Sequence, residues 1–168
     1  GTSFRFFAMQ VGKIITETKP VLIDGNDLEA CISCIMNGFS EVKKACPEPP
    51  VAISFAFPGP CDYPAGIIGD LWNLPGFRGG VPVGSMLEVE FGIPVYLNND
   101  GDLFTYGEAI AGFLPEINKK LEEHGNPKHY KNLFGVTFGT GFGGGIVRNR
   151  QLFIGDNSLA GEIWCMGN

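Results

Sequence analysis

The sequence predicts a mixed α/β fold, an arrangement in which ligands are bound beyond the carboxyl ends of the strands. Three observations predict it. Two β-rich runs, FRFFAMQ and VGKIITETKP, meet near Gly12; residues 27–44 repeat apolar side chains at helical spacing; and the run IPVYLNND passes directly into a second helical pattern, DLFTYGEAIAGFL.

Taken in order, the first two runs predict an antiparallel hairpin with a tight turn at Gly12. Over residues 27–44 the apolar positions Leu28, Cys31, Ile32, Ile35, Met36, Phe39 and Val42 fall near a period of 3.6, so this segment is an amphipathic helix with Asp27 as its cap or first-turn acid. CPEPP ends it, because proline cannot donate to the helical ladder. VAISFAF then reads as a short strand buried on both faces. The Gly- and Pro-dense stretch at 58–82 is a long loop able to bring its backbone close to a ligand. VGSMLEVEF is a brief helix, IPVYL a strand, and the helix that follows begins at once, so polar residues gather at a strand's carboxyl end. PEINKKLEEHGNPKHYKN is charged and lacks apolar periodicity. LFGVTFGTGFGGGIVRNRQLF is a strand, a glycine turn and a returning strand, and IGDNSLAGEIWCMGN shows no regular element.

Composition narrows the function classes. Hydrophobic residues make up 44% and charged residues 18%, so the chain packs a core rather than staying disordered. A formal charge of -6 argues against nonspecific affinity for nucleic acid or anionic membrane. No apolar run approaches the roughly 18 residues of a membrane span, and GTSFRFFAMQ has no secretory pattern, so a cytoplasmic protein is expected. Five cysteines, an odd count with no repeated metal-ligand spacing, predict reduced thiols. Cys31 and Cys34 fall on or near the apolar face of a helix, where packing is the better reading than redox or metal chemistry. His124 and His129 match no metal or triad spacing and are read as surface residues.

Three strings carry chemistry. Gly139-Thr140-Gly141-Phe142-Gly143-Gly144-Gly145 follows an apolar strand; glycines permit positive torsions and leave N–H groups able to converge on phosphate oxygens, with the Thr140 hydroxyl beside them. The same string also suits a structural hairpin turn. Asn98-Asn99-Asp100 ends a strand. There a carboxylate can take a proton from a substrate hydroxyl while an amide holds neighbouring hydroxyls, and Asp100 is the candidate base. The alternative is a helix N-cap, and both roles can coexist. Glu162, in Ala160-Gly161-Glu162, is either an acceptor for sugar hydroxyls or an exposed surface acid.

Together these strings resemble the ROK family of repressors and kinases. Gly1-Thr2 is similar to the end of the family's first phosphate motif, and Pro58-Gly59-Pro60 with Asn73-Leu74-Pro75-Gly76 to its sugar-binding loop. Asn99-Asp100 is similar to its Asn-Asp pair, Gly139 to Gly145 to its second phosphate motif, and Ala160-Gly161-Glu162-Ile163 to the start of its Ala-Gly-Glu-Ile-Gly-His motif. The resemblance implies an actin-like ATPase (ribonuclease H-like) fold, a mixed sheet with flanking helices in two lobes. Residues 1–100 would form the amino-terminal lobe, lacking its first strand, and 101–168 the start of an incomplete carboxyl-terminal lobe. It implies a glucokinase-like sugar kinase that transfers the γ-phosphate of ATP to a hexose or N-acetylhexosamine. Asp100 is then the base, Gly59, Asn73, Asn99 and Glu162 hold the sugar, and Gly1, Thr2, Gly139, Thr140 and Gly141 hold the phosphates. ATP and Mg²⁺ are the implied cofactors, with a small-molecule sugar as substrate and a homodimer as the assembly.

The chain departs from the pattern at Trp164-Cys165, where the family has Gly-His. One candidate ligand, Cys165, does not make a tetrahedral site, so no structural zinc is expected and no metal-binding residue is assigned. The same family includes transcriptional repressors, and the alternative reading is a sugar-sensing module whose DNA-binding segment would precede residue 1.

Overall fold

The computed structural model describes residues 3–71, 74–139 and 141–165. By its contacts the chain divides into two compact units, one of Gly1–Phe55 with Tyr63–Leu97, the other of Ala56–Asp62 with Asn98–Asn168.

In the first unit, strands β1 (Ser3–Phe4) and β2 (Phe7–Gln10) lead to β3 (Lys13–Glu17) and β4 (Val21–Leu22); β1 pairs with β4, and β2 with β3, both antiparallel. The predicted hairpin is therefore present, closed by Val11 at φ 50° and Gly12 at φ 74°. That is the twist a two-residue turn needs, and glycine adopts it at no steric cost. Helix α1 (Leu28–Ala45) is capped by Asp27, whose side chain accepts from Ala30 N, and Lys43 and Lys44 in its last turn complement its negative end. Its buried stripe is Cys31, Ile35, Gly38 and Val42. Gly38 makes room for Phe6: a methyl there would lie 2.2 Å from the ring. Phe6 packs edge-on against Phe39, which in turn meets Phe55 and Phe91, so the core of this unit is largely aromatic. Cys31 is buried at 1% exposure, its thiol donating to Asp24 O, and burial pushes the pKa of both Cys31 and Cys34 up, which leaves them inert.

Strand β5 (Ile53–Phe57) corrects one expectation. Ile53 and Phe57 are buried, but Ser54 and Ala56 between them are exposed, so the strand alternates and packs on one face. The loop at 58–82 differs too. Tyr63, Ile68, Leu71, Leu74 and Phe77 are buried, Ile68 bridges Val81, and a short 3₁₀ helix forms at Pro75–Phe77. Helix α2 (Val83–Phe91) forms where the sequence predicted a brief helix, and it ends at Gly92, a left-handed cap. Strand β6 (Val95–Asn99) pairs with β5, and the division between units falls within both strands.

The second unit is built on helix α3 (Asp100–Ile110), helix α4 (Phe113–Glu123) and a sheet of β7 (Leu133–Phe138), β8 (Phe142–Arg148) and β9 (Gln151–Leu152). The predicted 102–114 helix is cut at Ala111–Gly112, and the Glu108 carboxylate turns back to accept from Phe113 N. Residues 115–123, which show no apolar periodicity in the sequence, are helical. Leu114, Ile117 and Leu121 make a thin apolar stripe at i, i+3 and i+7, too sparse to read as periodic, and Lys120 with Glu116 and Lys119 with Glu123 pair across i, i+4. His124 and His129 are exposed. The hairpin of β7 and β8 is in register from Leu133↔Val147 to Phe138↔Phe142. Ala109, Leu114 and Val147 form a core cluster, joined by Tyr106, Leu133 and Leu152.

Candidate active site

The polar residues at the carboxyl end of β6 resolve into different tasks. Asn99 is buried and is the N-cap of α3: its Oδ1 accepts from Gly101 N at 2.7 Å and Asp102 N at 3.3 Å. That leaves its amide nitrogen pointing the other way, where Nδ2 donates to Glu162 Oε1 at 3.1 Å. One side chain thus ties a strand end, a helix start and a distant loop. Asp100, the first helical residue, is exposed, and its Oδ1 accepts from Gly101 N at 2.9 Å. A helix amino terminus favours negative charge at such a position. The cap is Asn99, and the Asp100 carboxylate beside it is left exposed.

Glu162 is half-buried rather than a free surface acid. Trp164 Nε1 donates to its second oxygen, Oε2, in the 3₁₀ turn Ile163–Cys165. Between these groups lies Asp102, which the sequence reading passed over. It is 1% exposed, its Oδ1 has no hydrogen-bond partner, and its pKa is raised to about 6, first by burial and then by the charges of Glu162 and Asp100. The signal was available: Asp102, Thr105 and Ala109 stand at i, i+3 and i+7, which marks a carboxylate on the buried face of α3.

None of Gly143, Gly144 and Gly145 has a positive φ; they are small because other backbone lies against them. A methyl on Gly101 would sit 2.8 Å from Gly144 O, one on Gly161 2.6 Å from the same oxygen, and one on Gly145 2.9 Å from Asp102 Cα. Helix α3 therefore rests on β8 main chain to main chain. At the hairpin's tip, Gly139 N donates to Gly141 O at 3.0 Å, and a methyl on either glycine would meet nothing within 4 Å.

Of the other expected site residues, Gly59 lies in the turn after β5, followed by a cis peptide to Pro60. Gly1, Thr2, Asn73 and Thr140 lie outside the described residues. Among the described residues no group of three or more His, Cys, Asp and Glu is arranged to hold a metal ion, and no helix is long and apolar enough to cross a membrane.

The chain matches a solved glucokinase structure over its whole length. The crystal structure of a glucokinase from Parabacteroides distasonis is 55% identical, with a TM-score of 0.86, covering all of this chain and 47% of its own. The ROK family model matches residues 26–164, and the chain belongs to that family. Among curated relatives, a glucokinase from Halalkalibacterium halodurans is 34% identical over 67% of this chain and 30% of its own length, and a xylose repressor from Caldicellulosiruptor bescii is 25% identical over 91% and 35%. The chain thus spans less than half the length of each of these three proteins.

Proposed function

We propose that the chain is part of a glucokinase-like sugar kinase, actin-like in its lobes, that transfers the γ-phosphate of ATP to a hydroxyl of a hexose or N-acetylhexosamine. The observation that carries this reading is the exposed Asp100 carboxylate, set on the first turn of α3 directly after Asn99, which holds Glu162. Asp100 takes the proton of the attacking hydroxyl as the bond to phosphorus forms, and Glu162 accepts from a neighbouring hydroxyl so that the attack is aligned. Gly59, Asn73 and Asn99 complete the sugar side. Gly1, Thr2, Gly139, Thr140 and Gly141 hold the nucleotide phosphates, and the open tip at Gly139 and Gly141 fits that role. Mg²⁺, arriving with ATP, supplies charge neutralisation for the transferred group. Residues 1–100 and 101–168 are read as belonging to two lobes of a cytoplasmic, homodimeric enzyme.

A second reading is favoured by one observation, the alignment of the Caldicellulosiruptor bescii xylose repressor over 91% of this chain: a sugar-sensing module with the same site and no turnover. Coupled ATP turnover by the intact protein against hexoses and N-acetylhexosamines, with Asp100→Asn alongside, separates the two. The kinase reading requires one sugar to drive turnover and the variant to lose it by about a hundredfold or more. Binding of a sugar without turnover would hand the site to the sensor.

A further inference from the structure

We propose that Trp164 is a positioning residue for the sugar, its indole N–H holding Glu162 in the rotamer that meets the substrate. The inference rests on Glu162 being a sugar contact. Each carboxylate oxygen of Glu162 has its own N–H donor from a different part of the unit, Asn99 Nδ2 at Oε1 and Trp164 Nε1 at Oε2. Neither donor is loose. Asn99 is fixed through its other end by the first turn of α3. Trp164 is 54% exposed, but the residue before it, Ile163, is 2% exposed and lies where a methyl on Gly144 would strike it at 2.8 Å.

A glutamate that is free to rotate must be ordered when a ligand arrives, and that entropy is subtracted from the affinity. Two charge-assisted donors order Glu162 beforehand, and a carboxylate with about four acceptor sites keeps capacity for hydroxyls after accepting two bonds. Trp164 therefore acts on sugar affinity alone. A tryptophan that merely tied down its own turn would alter stability and leave the balance between the two substrates untouched.

Trp164→Phe in the intact protein keeps an aromatic ring and removes the donor. With glucose as the probe, the variant raises the sugar KM about three- to tenfold, the span expected for one hydrogen bond, while kcat and the KM for ATP stay within about twofold; Glu162→Gln raises the sugar KM at least as far. In fluorine NMR of the intact protein labelled with 5-fluorotryptophan, the resonance lost in Trp164→Phe shifts when glucose is added without ATP. The inference is overturned if Glu162→Gln raises the sugar KM and Trp164→Phe leaves it unchanged, or if Trp164→Phe weakens sugar and ATP equally. If neither variant moves the sugar KM, the reading of Glu162 fails and the inference falls with it. Should Trp164→Phe not fold, Trp164→Leu assigns the resonance instead, and a Trp164 signal indifferent to glucose overturns the inference.

Discussion

Asp102 carries the least favourable charge among the described residues of the second unit. Its folded-state pKa of about 6 lies above its ordinary value of 3.8, so the folded chain binds this proton more tightly than the unfolded chain does. The resulting stabilisation is fully present below the ordinary value and is lost as pH rises through about 6. Asp102→Asn removes the titration without changing the shape. Urea midpoints compared at pH 5 and pH 7.5 should fall for the parent protein by more than for the variant, and the variant should be the more stable of the two at pH 7.5. The groups acting on Asp102 are Glu162 and Asp100; β7 carries no charge, and Arg148, the charged residue of β8, is exposed at that strand's carboxyl end. A parent midpoint that did not fall from pH 5 to 7.5 relative to the variant would mean the carboxyl is solvated after all. Asp100 and Asp102 show what a residue-level reading can see. An acid after a strand invites a chemical role, whereas an acid two places on looks like solvated helix until the burial of Thr105 and Ala109 on its face is counted.

Among the elements, the hairpin of β2 and β3 contains a local conflict. Val11 has φ 50° and is 97% exposed, so a β-branched side chain pays backbone strain and packs against nothing. Val11→Asn, a residue at ease in that conformation, should stabilise the chain by about 1 kcal/mol in urea unfolding. The opposite holds where β8 meets β7 and the turn at Ile163. A methyl at Gly144 would lie 2.8 Å from Ile163 Cδ1 and 2.9 Å from Gly135 O, and backbone cannot step aside cheaply; Gly144→Ala should cost about 1–3 kcal/mol, read by the same unfolding curves. These elements also mark how far the sequence could be read. Helix α1 was legible from its apolar period and its Asp27 cap, and the β7–β8 hairpin from apolar runs on either side of a glycine turn. Helix α4 was not, because three spaced apolar residues and ion pairs stabilise it with little periodic signal. The strand β5 was misread as doubly buried because small Ser54 and Ala56 resemble core residues whether or not anything covers them.

For the chain as a whole, charge decides what it avoids. With a formal charge of -6 and a pI near 4.8, it should show no retention of random duplex DNA in a mobility shift at low salt; a shift abolished by added salt would contradict that argument. Family membership was legible from ordered short motifs, since each string was ambiguous alone and their sequence along the chain was not. The site was legible only in outline: Asn99, Asp100 and Glu162 could be named, but that one amide joins β6, α3 and Glu162 depends on which way Asn99 faces, a matter of packing that no spacing reveals.

The contact of Gly101 and Gly161 with the main chain of Gly144 makes the unit behave like a machined spacer. Where two elements are separated by side chains, their distance drifts as those side chains are exchanged over generations or in an engineering campaign. Here no side chain intervenes, so the gap between the residue bearing the Asp100 carboxylate and the strand leading from the hairpin tip is set by atoms every protein possesses. Variation in the surrounding core can then loosen the unit or tighten it while this dimension stays the same. A library built on this scaffold should accordingly lose stability at distant positions well before it loses alignment at this one.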